Sequence, residues 1–173
     1  MTASLRQHYE RLITGETGTT RTLTSGRFVR RAPDGGIEQH PADSSERRFE
    51  VILGPPAETP PGVNPMDGFG FFTQRLTVRV SYLLTHAGGD LTEALGEQDG
   101  AGTWDVIRDR AITDALDLQT VLSWHENRSG TDPVIVQVVP LPAVGPTRQG
   151  VLAILEQPFD LVVKATLPGS YAP

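Results

Sequence analysis

Thirteen residues, Thr73 to Thr85, constrain this chain more than any other stretch. Leu76, Val78, Val80, Tyr82 and Leu84 alternate there with Arg75, Thr77, Arg79, Ser81 and Leu83. Successive side chains of a strand point to opposite faces, so the pattern predicts one apolar face and one polar face. A sheet built on such a strand buries one side and leaves the other in water, which favours antiparallel or mixed pairing. Two further segments repeat the pattern. Phe49, Val51 and Leu53 alternate with Glu50 and Ile52, predicting a strand over 47–53. Phe159, Leu161, Val163, Ala165 and Leu167 alternate with Asp160, Val162, Lys164 and Thr166 after Pro158.

An apolar sheet face needs a cover, and two segments have helical spacing. Ser4 and Gln7 fit a capping box ahead of Leu5, Tyr9, Leu12 and Ile13, with Gly15 as the stop. Thr103 reads as the N-cap of a helix over 104–117, with Asp105 in its first turn. Trp104, Ile107, Ala111, Ile112 and Ala115 would form its buried face, and Arg108, Asp109, Asp114 and Asp117 its solvated one. Asp90 and Glu93 could cap a short helix from Leu91 to Leu95. Two hairpins are expected. One joins Arg27–Arg31 to Ile37–His40 across Pro33-Asp34-Gly35-Gly36, and the other joins Thr120–Trp124 to Val134–Val139.

The connections are rich in Gly (18) and Pro (14). Gly54 to Phe72 holds five Pro and four Gly, and reads as a long loop of the interface type. Its end carries Phe69, Phe71 and Phe72, which need burial either on their own sheet or on a partner. The expected architecture is a single α+β domain over residues 1–173. It has a mixed or antiparallel sheet of four to six strands backed by helices, an N-terminal helix with an arm and hairpin over 1–46, and long Pro/Gly-rich loops.

The sequence offers little to catalysis. There is no cysteine, hence no disulfide, thiolate ligand or Cys nucleophile. The four His, at 8, 40, 86 and 125, include no pair at the i, i+4 spacing of a helical zinc site. His125-Glu126 begins like H-E-x-x-H, but Ser129 stands where the second His is required. No G-x-S-x-G elbow and no G-K-[ST] phosphate loop occurs. Asp105 with Asp109, and Asp114 with Asp117, share helix faces, as an acidic surface helix produces by default. Asn127-Arg128-Ser129 matches a glycosylation sequon and reads as a turn. No catalytic residue, cofactor site or metal site is therefore expected.

The net charge is −6. Residues 1–48 carry eight Arg against six acids, and residues 49–173 carry seven bases against fifteen acids. Clustered cations of the kind that hold a phosphate backbone are absent. No run of 18 apolar residues exists, and residues 1–12 lack the apolar core of a secretory signal. No membrane partner is expected.

The order of elements resembles that of tail terminator proteins of long-tailed bacteriophages. It runs from an N-terminal amphipathic helix through strand Arg48–Leu53, a long Pro/Gly loop and long strand Arg75–Leu84. A helix, a strand pair and closing strand Phe159–Leu167 follow. The resemblance implies a small α+β subunit that assembles with itself into a hexameric ring. That ring would cap the tail tube and join it to the head-side connector or stopper protein, with DNA passing through its lumen. It implies residence in the virion tail or neck, reached from the host cytoplasm. Within it, Phe69, Phe71, Phe72, Arg75 and Arg79 are the expected interface residues, the arginines facing acids of a neighbour. Two other readings stay open: another head-completion or tail-tube subunit, and a small ligand-binding or enzymatic α+β domain.

Overall fold

The computed structural model describes residues 4–15, 28–30, 47–58, 69–84, 101–128, 131 and 134–166. In chain order the elements are α1 (Leu5–Thr14), β1 (Phe28–Arg30), β2 (Arg47–Glu58), β3 (Phe69–Leu84), β4 (Ala101–Gly102) and α2 (Trp104–Ser123). A 3-10 turn (His125–Arg128), β5 (Val134–Pro140), β6 (Val144–Gln149) and β7 (Leu152–Thr166) complete them. Together they form an α+β fold.

The sheet order is β1-β2-β3-β7-β5, with β4 pairing β3 and β6 pairing β7. The pairings of β2 with β3, β3 with β7, and β7 with β5 and β6 are antiparallel. β1 on β2 and β4 on β3 are parallel. The alternation in β3 has the expected result: Leu76, Val78, Val80 and Tyr82 have no exposed surface. Ala153, Leu155, Phe159 and Leu161 of β7 and Phe49 and Val51 of β2 meet them on the same face.

The two described helices cover that face. α1 starts at Ser4, whose hydroxyl accepts from the Gln7 amide while the Gln7 side chain accepts from the Ser4 amide. It stops at Gly15, whose φ of 72° is one that glycine adopts without strain. α2 contributes Ile107, Ala111, Ala115, Leu118, Val121 and Leu122 to the core.

Several sequence expectations need correction. α2 runs six residues past 117, so Thr120–Trp124 is not a strand and its hairpin with Val134–Val139 does not form. β5 pairs with β7 instead. β-branched Thr120 and Val121 suggested a strand, but Leu118, Val121 and Leu122 continue the buried helical stripe, and tertiary burial overrides local propensity. Trp104 and Ile112, assigned to the buried face, are exposed, whereas Asp114, assigned to the solvated one, is fully buried.

The loop expected over 54–72 is partly sheet. β2 continues to Glu58 and β3 begins at Phe69, with Pro56 opposite Gln74 and Glu58 opposite Phe72. A register shift between Leu53 and Pro56 absorbs the two prolines. β1 flanks β2 only at 47–49, so among the described residues Pro55 and Pro56 sit on an edge where no ladder donor is needed. Phe28–Arg30 runs parallel to Arg47–Phe49; the rest of the expected 27–40 hairpin and the helix expected over 91–95 lie outside the described residues.

β7 passes straight through Pro158. One of its edges pairs with β3 throughout, and the other is shared in series by β6 and then β5. Pro158 falls where the chain crosses from β5 to β6, so its missing N–H costs no ladder bond. The Leu141 amide donates to the Pro158 carbonyl there at 3.0 Å. Gln157, with no exposed surface, fills the gap beneath. Its Nε2 donates to the carbonyls of Leu141 (2.7 Å) and Pro158 (3.0 Å), and its Oε1 accepts from Gln119 of α2 (3.0 Å).

Candidate functional site

The face of the sheet away from α1 and α2 carries most of the expected interface residues. Odd-numbered residues of β3 project there, and the register sets Phe71 opposite Lys164, Arg75 opposite Asp160 and Arg79 opposite Glu156. Glu50 lies on the other side of Arg79. Arg79 thus bridges three strands. Its Nε and Nη2 donate to Glu156 Oε1 at 2.8 and 2.7 Å, and its Nη1 donates to Glu50 Oε1 at 3.0 Å. Arg75 Nε donates to Asp160 Oδ1 at 2.7 Å. Partial burial disfavours the Arg79 charge, but the hydrogen bond and charge of Glu156, followed by those of Glu50, outweigh it and hold the guanidinium above its ordinary pKa.

Both arginines therefore pair with acids of their own chain. Phe72 projects to the opposite face and packs, half-buried, against the core. Phe71 is half-buried, and Phe69 opens β3 opposite Thr166. Phe71, Arg75 and Arg79 thus share one face of β3, and Phe72 lies on the other. The acids that complete the ladder had a legible signal: Arg75 and Arg79 are four apart, as are Glu156 and Asp160, and antiparallel strands match such spacings in reverse. Because the Arg79 side chain is about one-third exposed (30%), removing it is a modest change. Arg79→Ala is expected to lower the unfolding free energy by about 1 kcal/mol, less at high salt, as urea titrations at two ionic strengths would read.

Behind the sheet lies a second polar group that the sequence does not announce. Tyr82 donates to Asp114 Oδ2 at 2.7 Å, and Arg47 Nε approaches the same oxygen at 3.1 Å. Asp114 and Tyr82 are fully buried and Arg47 is 3% exposed. The Arg47 guanidinium also lies 5.7 Å above the Phe28 ring. Burial, then the Asp114 carboxylate, push the Tyr82 phenol well above its ordinary pKa. This group ties β1, β2 and β3 to α2.

His8 fastens α1 to the 3-10 turn: its Nε2 lies 2.6 Å from the Asn127 carbonyl, which can only accept, so Nε2 carries the hydrogen. Burial lowers the His8 pKa below 6.5, with the bond to Asn127 working in the opposite direction. The folded chain thus holds a neutral ring where the unfolded chain takes up a proton near pH 6.5. Stability is fully present above that pH and falls as the pH drops through and below it. Urea midpoints at pH 7.5 and 5.5 should differ more for the wild type than for His8→Gln. Asn127 itself is buried and its side chain donates to the Val121 carbonyl, consistent with the turn reading of its sequon.

The other chemical leads do not converge. Asp105 and Asp109 are exposed beside Arg108, at 3.8 and 3.7 Å, while Asp114 is separated from Asp117 by its burial. Among the described residues no three His, Asp or Glu cluster so as to hold a metal ion, and no helix is long and apolar enough to cross a membrane. An open cleft of about 380 Å³ lies at the end of α2, between Trp124, His125, Arg128 and Pro140. No protein-family model matches the chain, and no curated protein matches its sequence.

Proposed function

We propose that this chain is a structural virion protein, a tail terminator that assembles as a hexameric ring, caps the tail tube and joins it to the head-side connector. The observation that carries this reading is the mismatch between the two layers. β3 has 16 residues and β7 has 15, so each extends about 50 Å at roughly 3.3 Å per residue. α2, with 20 residues, covers about 30 Å at 1.5 Å per residue. β3 and β7 therefore outrun α2. Beyond the helix Pro55, Pro56 and Ala57 are exposed and Phe71 and Phe72 are half-buried, while Ile135 and Val163 stay buried.

A sheet end of this kind suits a heterologous contact, in which one patch of a subunit meets a different patch of the next and the rotation closes a ring. The ion-pair ladder suits the same role. Its charges are already neutralised, so it can lie against a neighbour without leaving a buried charge unpaired.

Electron microscopy of the purified protein, alone and mixed with tail tubes, tests the reading. Rings, or caps confined to tube ends, are the expected result. Tubes of indefinite length would point to a tail-tube subunit. A particle that forms neither rings nor caps and binds a small molecule would overturn the proposal in favour of a ligand-binding domain.

A further inference from the structure

Two different surface features stand on opposite edges of the sheet. On the β2 edge, Pro55, Pro56 and Ala57 are exposed. Beside the β5 edge lies the open cleft of about 380 Å³, lined by half-buried Trp124 and by exposed Thr120, His125 and Pro140. Arg128 gives the cleft its shape: it donates to the Ser123 and Val136 carbonyls and so holds the 3-10 turn against α2 and β5. The ladder fixes the relative height of the two features. One row across the sheet runs Leu53, Leu76, Phe159, Pro140, and another runs Pro56, Gln74, Leu161, Val138. These rows are two residues apart on β3, or about 7 Å at roughly 3.3 Å per residue. Pro55 and Pro56 on one edge are therefore nearly level with Pro140, at the cleft, on the other.

We propose that Pro55 and Pro56 of one copy dock in the Trp124 cleft of the next, and that this is the repeating contact of the ring. The proposal rests on the ring reading and names the contact within it. The chemistry of the two features matches. Proline-rich segments dock in grooves lined by aromatic side chains, and their fixed φ angles leave little entropy to lose. A proline edge also brings no amide donors that the partner must satisfy. The features differ and lie on opposite edges, so the contact is heterologous and each copy makes it twice, once with each neighbour. Because they stand at nearly one height, successive copies advance little along the strands, which favours a closed ring over a helical filament. The size of the contact agrees. A stable isolated pair takes about 20–30 residues a side, far more than these features hold. A ring needs less from each contact, because closure makes the last one intramolecular.

Introduced cysteines test the contact directly, because the chain has none of its own. β3 and β7 separate β2 from β5, which stand about 14 Å apart at roughly 4.8 Å per strand, so a disulfide from Pro56 to the cleft within one copy is out of reach. Oxidation of a chain carrying both Pro56→Cys and Thr120→Cys should give a ladder of linked copies, and Pro56→Cys alone should give none. Pro56→Glu should raise the concentration at which rings or tube caps form by about 10-fold, read by light scattering and electron microscopy. Trp124→Ala should do the same, with far-UV circular dichroism confirming its fold; exposed Pro56 supplies the variant that does not disturb the core. Trp104→Phe leaves Trp124 as the sole indole, and its emission should move to the blue as rings form. Rings that form without the cross-link, and at the same concentration in Pro56→Glu, would overturn this contact and leave the ring standing. Linking of Pro56→Cys to itself would reveal an isologous pair and overturn it as well. A wild type that forms neither rings nor caps would remove the ring reading, and this contact with it.

Discussion

Replacing Asp114 with alanine is expected to destabilise the fold by about 3–5 kcal/mol, the largest effect of any single polar substitution considered. The carboxylate is fully buried and holds both the Tyr82 hydroxyl, at 2.7 Å, and the Arg47 guanidinium, at 3.1 Å. Truncation leaves the cation in the interior without this carboxylate, and its desolvation is no longer offset. Two controls isolate the cause. Tyr82→Phe, which removes one hydrogen bond and keeps the ring, should cost only about 1–2 kcal/mol. The double variant Arg47→Met with Asp114→Leu should lose less than Asp114→Ala alone, because no charge then remains to be stranded. Urea unfolding monitored by tryptophan fluorescence reads all three. A double variant as unstable as the single one would show that packing, not charge, dominates at this position.

The second large effect is expected at Gln157. Gln157→Leu keeps the side-chain volume but removes the bonds to the Leu141 and Pro158 carbonyls and the acceptor for Gln119. A loss of about 2–3 kcal/mol follows, since the Leu141 carbonyl and the Gln119 amide lose this partner and the Pro158 carbonyl keeps only the Leu141 amide. The damage should be local. Hydrogen exchange ought to accelerate in β5 and β6 while the β2–β3 pairing stays protected. Gln119→Ala, which breaks only the half-buried end of the network, should cost less than about 1 kcal/mol.

How much of this was legible depends on where each residue's partner lies. The alternation in β3 declares its two faces without help from any other segment, and Leu76 to Tyr82 are buried accordingly. β7 was legible in two halves but not as one strand. Pro158 looks like a break until β5 and β6 are seen to share its edge in series. Asp114 could not have been singled out. Within the helix it resembles Asp109 and Asp117, and only distant Arg47 and Tyr82, 67 and 32 residues earlier, distinguish it. The length of α2 was obscured by its two apolar faces. Ile112 and Leu116 blur the single stripe that helix reading relies on, and Thr120 and Val121 imitate a strand. The arginines of β3 were found as a polar face, but which acids they meet depends on a register fixed by distant pairing.

That register also sets a timetable for the nascent chain. Every β3–β7 pair joins residues 69 to 97 positions apart, from Leu83 with Leu152 to Phe69 with Thr166. On a ribosome adding about 5–20 residues per second, β3 emerges several seconds before β7 exists. In that interval β2 is already available, while the opposite edge of β3 has no β7 to meet. The β2–β3 pair is thus the first antiparallel unit that can form, and its long open edge awaits the last strand made. A chaperone, or rapid translation of the segment between them, would shield that edge while it is bare.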